Sequence, residues 1–239
     1  MNNTTIADNI ADSFGLPIQT RGSLITQETI INEFARLTQY ITWPLLAILF
    51  HVFYDLRIKG RENFRSLNEV FMIVANHVDF YHSFAFRLVL GLLTPHLPLR
   101  FMAVTKFEWR SLNFLHTIGI IDFIYSLFGV FTVVPGLGIN NNLKKAKNII
   151  KARGNVVIYP EGKINTTGQI GSFKKGAAVL FQQTGVKIVP VSFRLGRRNF
   201  WWRELSINVG QPLKLSVNES ADKITERIRE AVVGLCGGN

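Results

Sequence analysis

Two short apolar runs that break off into polar, chemically competent residues constrain the fold of this chain more than any other feature. The first is Val70 to Ala75, followed at once by Asn76-His77-Val78-Asp79-Phe80-Tyr81-His82. The second is Val156 to Tyr159, which ends in Pro160-Glu161-Gly162-Lys163. Apolar, largely β-branched runs this short read as buried strands rather than helices. Buried strands that alternate with helical segments form a parallel or mixed sheet with helices on its faces, and ligands of such sheets gather at the carboxyl ends of the strands. His77 and Glu161 are therefore expected to meet at one site.

The remaining pattern agrees with that architecture. Further strands fit Leu56 to Lys59, Arg100 to Val104, Val130 to Val134, Ile188 to Phe193 and Leu205 to Val209. Helices fit a start near Ser83, Leu143 to Arg153 stopped by Gly154, and Lys174 to Gln183 stopped by Gly185. Ser216-x-x-Glu219 fits a capping box opening a last helix that reaches about Leu235. The 239 residues read as a single α/β domain over 55–239, a mixed, largely parallel sheet flanked by helices. A flexible N-terminus at 1–25 and a helical arm at 26–54 precede it.

In that arm Ile30, Ile31, Phe34, Leu37 and Ile41 follow helical spacing, with Glu28 in the first turn where the helix dipole favours a carboxylate. It runs into an uncharged stretch from Thr42 to Tyr54 that falls short of the roughly 20 apolar residues a membrane span needs. Two readings stand: a helix packed on the domain's own core, and an amphipathic arm lying in a bilayer interface. Charge bears on the choice. The chain has 27 Lys and Arg against 16 Asp and Glu, a formal +11, and 12% aromatic residues, which suits an anionic membrane surface. Arg197 to Arg203 interleaves arginine with Phe200, Trp201 and Trp202, an arrangement that anchors at a membrane interface or stacks on single-stranded nucleic acid. The lone Cys236 excludes an internal disulfide, and the first 25 residues lack a secretory signal pattern. The expectation is a peripheral or monotopic protein on the cytoplasmic face of a membrane.

Taken in order over residues 54 to 212, several blocks resemble the acyltransferases of the glycerophosphate and lysophosphatidate type. They are Asn76-His77, the region from Lys106 to Pro135, Tyr159-Pro160-Glu161-Gly162 with Phe173-Lys174-Lys175-Gly176-Ala177-Ala178, and Ile188-Val189-Pro190-Val191. Gly60-x-Glu62-Asn63 and Gly210-x-Pro212 match the flanks. The resemblance implies an enzyme that moves a fatty acyl group from acyl-CoA or acyl carrier protein to a hydroxyl of a lipid or amphipathic acceptor. No further cofactor, metal or nucleic acid is implied. His77 matches the general base that takes the hydroxyl proton. Asn76, His82, Glu161, Gly162 and Lys163 fall where the acceptor would be ordered. Lys174 and Lys175 open a helix after Gly171-Ser172-Phe173, a place for the phosphates of coenzyme A or a phosphopantetheine arm. Phe114 to Val134 is either core or the wall of an acyl-chain tunnel.

The chain departs from the family at two points. The family's first block, Asn-His-x-x-x-x-Asp, places its carboxylate at position 82, where this chain has His82. Either Asp79 turns back to hold His77, or His82 accepts the bond without supplying charge, or the protein is a lapsed acyltransferase that binds lipid or acyl-CoA; Asp79 also reads as a helix N-cap. Second, Ile164 stands at the family's phosphate-gripping arginine, and no arginine lies between Arg110 and Arg153. An acceptor other than glycerol 3-phosphate or lysophosphatidate is expected. A nucleic-acid module is the competing class.

Overall fold

The computed structural model describes residues 26–79, 82–104, 125–134, 136–165 and 169–237. Seven strands form one sheet: β1 (Tyr54–Lys59), β2 (Phe71–Ala75), β3 (Leu99–Val104), β4 (Val130–Val133), β5 (Asn155–Ile158), β6 (Lys187–Arg198) and β7 (Arg203–Val209), in the order β1-β7-β6-β2-β5-β3-β4. The strands from β6 to β4 run parallel to one another. β7 turns back antiparallel on β6, and β1 pairs parallel with β7. The sheet is mixed and largely parallel, as the alternating pattern requires.

Alternation along each buried strand splits the core into two layers, because successive side chains leave opposite faces of a sheet. Phe71, Ile73 and Ala75 of β2, Val157 of β5, and Val189, Val191 and Phe193 of β6 face a layer built by α1 (Gln27–Phe53) and α2 (His82–Leu90). Met72, Val74, Val156, Ile158 and Ile188 face the layer of α3 (Ile139–Lys151), α4 (Gly176–Thr184) and α5 (Ala221–Gly237). The five strands from β6 to β4 end at the same edge, and the β6–β7 turn lies at that edge too.

α1 is one helix of 27 residues with Pro44 inside it, capped where Thr26 Oγ1 accepts the Thr29 N–H. Polar residues lead its inner face at the start, while an apolar stripe turns outward. Asn32, Ala35 and Gln39 are buried, whereas Phe34, Leu37, Ile41, Leu45, Ile48 and Val52 are each 55–68% exposed along one outward stripe. Polar bonds hold the inner face. Gln39 donates to the Leu99 carbonyl at 2.7 Å and accepts the Leu99 N–H at 3.0 Å. The wholly buried Arg100 donates to Asn32 at 2.6 Å and lies 3.6 Å from Glu28. Burial lowers that guanidinium to about 10, with Glu28 pulling it back up, so it stays charged. Arg87 of α2 donates to the Gln39 carbonyl at 2.9 Å and lies over the Tyr40 ring. Further along, Tyr40, Trp43, Leu46 and Phe50 pack on the core.

The two flanking motifs of the sequence meet in space. Gly60 adopts φ +75°, and a side chain there would strike the Val209 carbonyl. Beside it Asn63 donates to that same carbonyl at 3.0 Å and accepts from Gln211 at 2.6 Å.

Three sequence expectations change. β6 continues past Phe193 to Arg198, because β7 pairs with it as a hairpin. The Ser216–Glu219 pair does bond, Ser216 N–H to Glu219 at 2.9 Å, but in a turn ahead of α5, which starts at Ala221 with Ser220 receiving the Lys223 N–H. Lys174 and Lys175 precede α4 rather than belong to it. The terminus at 1–25 lies outside the described residues, as does the apolar stretch from Phe114 to residue 124.

Candidate active site

Because β2 and β5 are parallel neighbours, the segments that follow them emerge side by side. Glu161 leaves the end of β5 nearly buried, and its Oε1 accepts the backbone N–H of His77 at 3.1 Å. Its Oε2 accepts from the Asn165 amide side chain at 2.9 Å and from the Gly171 N–H at 3.0 Å. The His77 carbonyl in turn accepts the Asn165 N–H at 2.7 Å. The two sequence motifs therefore converge, with His77 held through its backbone on both sides. Glu161, expected to order an acceptor, binds the chain itself through both oxygens.

The His77 ring lies against Tyr159, ring centroids 4.2 Å apart and planes 17° from parallel. Tyr159 is fixed by a 2.8 Å hydrogen bond between its hydroxyl and Ser83 of α2. Burial keeps the phenol protonated, the Ser83 bond offsetting part of that. His77 Nδ1 is buried and has no hydrogen-bond partner among the described residues. Burial pushes the imidazole below its ordinary range, while the charges of Glu161 and Asp79 pull it back. The ring is neutral at neutral pH, the form in which it can accept a proton.

His82 is 2% exposed at the start of α2, its ring stacked near Phe193 and edge-on to Tyr54. Neither ring nitrogen has a partner among the described residues. Burial drives its titration to about 4, Asp79 opposing and Arg203 and His77 adding to the drop. Neither of two arrangements read from the sequence is seen. His82 does not accept a bond from His77, and Asp79 does not hold Nδ1; Asp79 acts on His77 through its charge. The cause lies in direction: position 82 sits inside the first turn of α2, where the side chain points into the apolar layer.

The other expected residues divide. Asn76 donates to the Phe193 carbonyl at 2.9 Å and accepts the Phe193 N–H at 2.8 Å, so it latches β2 to β6 instead of facing a substrate. Gly162 has φ +66°, and the Lys174 side chain crosses the space its Cβ would fill. Lys163 and Lys174 are exposed beside it. Lys175, expected with Lys174 to receive phosphate, pairs with Asp222 of α5 at 2.8 Å on the surface, and the nearby Gly171 N–H is taken by Glu161. Sequence reasoning missed Tyr159, Ser83 and Asn165. Tyr159 had a signal, an aromatic at the strand end immediately ahead of Pro160-Glu161; Ser83 and Asn165 had none.

Apolar side chains crowd the same edge. Phe200 and Trp201 stand on the β6–β7 turn 86% and 76% exposed, with Arg197 and Arg198 exposed next to them. Phe53 at the end of α1 is exposed where β1 begins, and Tyr54 there pairs with Arg203 at the start of β7. Among the described residues no helix is long and apolar enough to cross a membrane.

This arrangement has known counterparts. The profile of the Acyltransferase family matches residues 55–194, more than half of the 239. A chloroplastic 1-acyl-sn-glycerol-3-phosphate acyltransferase of Arabidopsis thaliana is 29% identical over 152 residues, 63% of this chain and 38% of the relative. The human 1-acyl-sn-glycerol-3-phosphate acyltransferase beta is 32% identical over 154 residues, 60% of this chain and 49% of the relative. The chain thus spans less than half the length of either. The crystal structure of the 1-acyl-sn-glycerophosphate acyltransferase PlsC from Thermotoga maritima superposes with a TM-score of 0.58 at 19% identity, covering 95% of this chain and 85% of that one, and shares the fold.

Proposed function

The chain belongs to the acyltransferase family, and from that membership we propose that it moves a fatty acyl group from a thioester donor to the hydroxyl of a glycerolipid. The observation that carries the mechanism is His77, neutral, held at the carboxyl edge by its own backbone bonds. In the reaction the acceptor oxygen attacks the thioester carbonyl carbon while its proton passes to the His77 imidazole. Collapse of the tetrahedral intermediate then expels the thiolate, which takes the proton back as the free thiol. No acyl-enzyme forms. Glu161 serves the base indirectly, by fixing the segment that carries it.

The relatives are named for a 1-acylglycerol 3-phosphate acceptor, and this revises the expectation drawn from Ile164. Lysophosphatidate is the acceptor we infer for this chain. Without the guanidinium fork, its phosphate would meet ammonium point charges, Lys163 and Lys174 being the exposed ones beside Gly162. The donor is acyl-CoA or acyl carrier protein. The protein works at a membrane surface, with the outward stripe of α1 and the aromatic β6–β7 turn as its contact, on the side where the lone Cys236 stays reduced.

The test is thiol release from acyl-CoA and acyl carrier protein donors with lysophosphatidate, with an unphosphorylated monoacylglycerol as control and the product followed by mass. Turnover specific to lysophosphatidate and reduced by roughly 10² to 10⁴ in His77→Ala is expected. Donor binding without turnover from either thioester would instead favour a lapsed, lipid-binding protein, the reading motivated by His82 at the family's carboxylate position and supported by His77 Nδ1 having no partner among the described residues.

A further inference from the structure

The backbone of His77 is anchored at both its N–H, by Glu161, and its carbonyl, by Asn165. That fixes the Cα and leaves the ring plane to the side-chain torsions, of which the outer one is broad and only weakly self-determining. A hydrogen bond at Nδ1 would select the plane, but Nδ1 has none among the described residues. What lies against the ring is the face of Tyr159, 4.2 Å away and within 17° of parallel. The phenol cannot swing aside easily, since its hydroxyl is bonded at 2.8 Å to Ser83, in the first turn of α2. Orientation is thus passed from a helix through an aromatic ring to the imidazole.

We propose that Tyr159 is a positioning residue for His77, its face holding the imidazole plane in place of a carboxylate partner, with Ser83 fixing the phenol. The inference rests on the reading of His77 as the base. Its chemical content is distinct from that of a carboxylate: a stacked ring selects the plane and shields one face from water, but supplies no counter-charge to the imidazolium. The charges acting on the ring are Glu161 after β5 and Asp79 after β2, and His82 on α2 is the titratable group the ring itself acts on. All three remain when Tyr159 is changed.

The experiment compares Tyr159→Leu, Tyr159→Phe and Ser83→Ala in the full chain. It reads kcat and KM for lysophosphatidate acylation, and the chemical shift and titration midpoint of the His77 ring by NMR. Tyr159→Leu is expected to lower kcat by about 10- to 100-fold with KM little changed, the size of loss a misaligned catalytic group produces. In the same variant the ring-current shift of His77 disappears and its titration midpoint rises toward the ordinary range as water reaches the exposed face. Tyr159→Phe and Ser83→Ala both keep the stacked ring and lose the 2.8 Å bond that fixes it, so both readouts in each fall between the parent and Tyr159→Leu. A folded Tyr159→Leu with parental kcat and parental His77 titration overturns the proposal. Should Tyr159→Leu not fold, Ser83→Ala with unchanged kcat and unchanged His77 ring shift overturns it equally. Full turnover in His77→Ala would sink the reading of His77 as base while leaving the NMR arm to judge the stack alone.

Discussion

His82 is a titratable ring in an apolar slot, and its position decides how the site responds to pH. Its folded-state titration lies near 4, below the ordinary value of 6.5. Between those values the unfolded chain binds a proton that the folded one refuses, so stability rises with pH through that window and is lost as pH falls from 6.5 toward 4. His77 and His96, both lowered by burial, act in the same direction. Urea unfolding at a series of pH values should show this slope, on the order of 3 kcal/mol from His82, and His82→Leu should flatten it. His82→Asp makes a different prediction. A carboxylate there, beside His77, raises the imidazole's titration, so the acid limb of kcat/KM moves to higher pH; a pH–rate profile with an unmoved limb would refute this. At this scale the sequence was informative about which residues converge and uninformative about what they touch. His77 and Glu161 could be placed together from two strand ends, but the Glu161 carboxylate turning back to the His77 N–H depends on loop geometry that no residue pattern encodes.

α1 shows the same limit at the level of an element. The helical period was visible from Ile30 to Ile41, and so was the width of the apolar stripe, but not which way the stripe faces. An apolar stripe ordinarily turns inward; here Asn32 and Gln39 turn inward, because they complete the backbone at Leu99 and the charge of Arg100. Gln39→Ala strips the Leu99 N–H and carbonyl of their partners in a buried place and should cost about 1–3 kcal/mol in chemical denaturation. Changes on the outer face should behave oppositely. Ile41→Asp with Ile48→Asp should leave the unfolding midpoint nearly unmoved yet weaken co-sedimentation with lipid vesicles. Loss of stability without loss of vesicle binding would place the stripe against protein instead.

Seen as a whole, the molecule joins a net charge of +11 to an aromatic turn and an apolar helix stripe. Binding to vesicles rich in anionic lipid should therefore weaken as salt rises past about 0.1 M, where the Debye length is near 10 Å, and fall to the apolar contribution alone at high salt. A salt-insensitive affinity would argue against the arginines flanking Phe200 and Trp201 as contacts. The class of fold was readable from the alternation of strands and helices. The strand order was not: β1 joins the sheet only through β7, near the other end of the chain, and such long-range pairing leaves no local trace. One feature of α1 then reaches beyond geometry. Its outward stripe, from Phe34 to Val52, stays in water for as long as the protein floats free. Lipid that covered the stripe would take that apolar surface out of water, a gain open to the folded chain alone. On the proposed reading a bilayer would be a ligand of the folded state, and the protein should melt at a higher temperature with vesicles than without them.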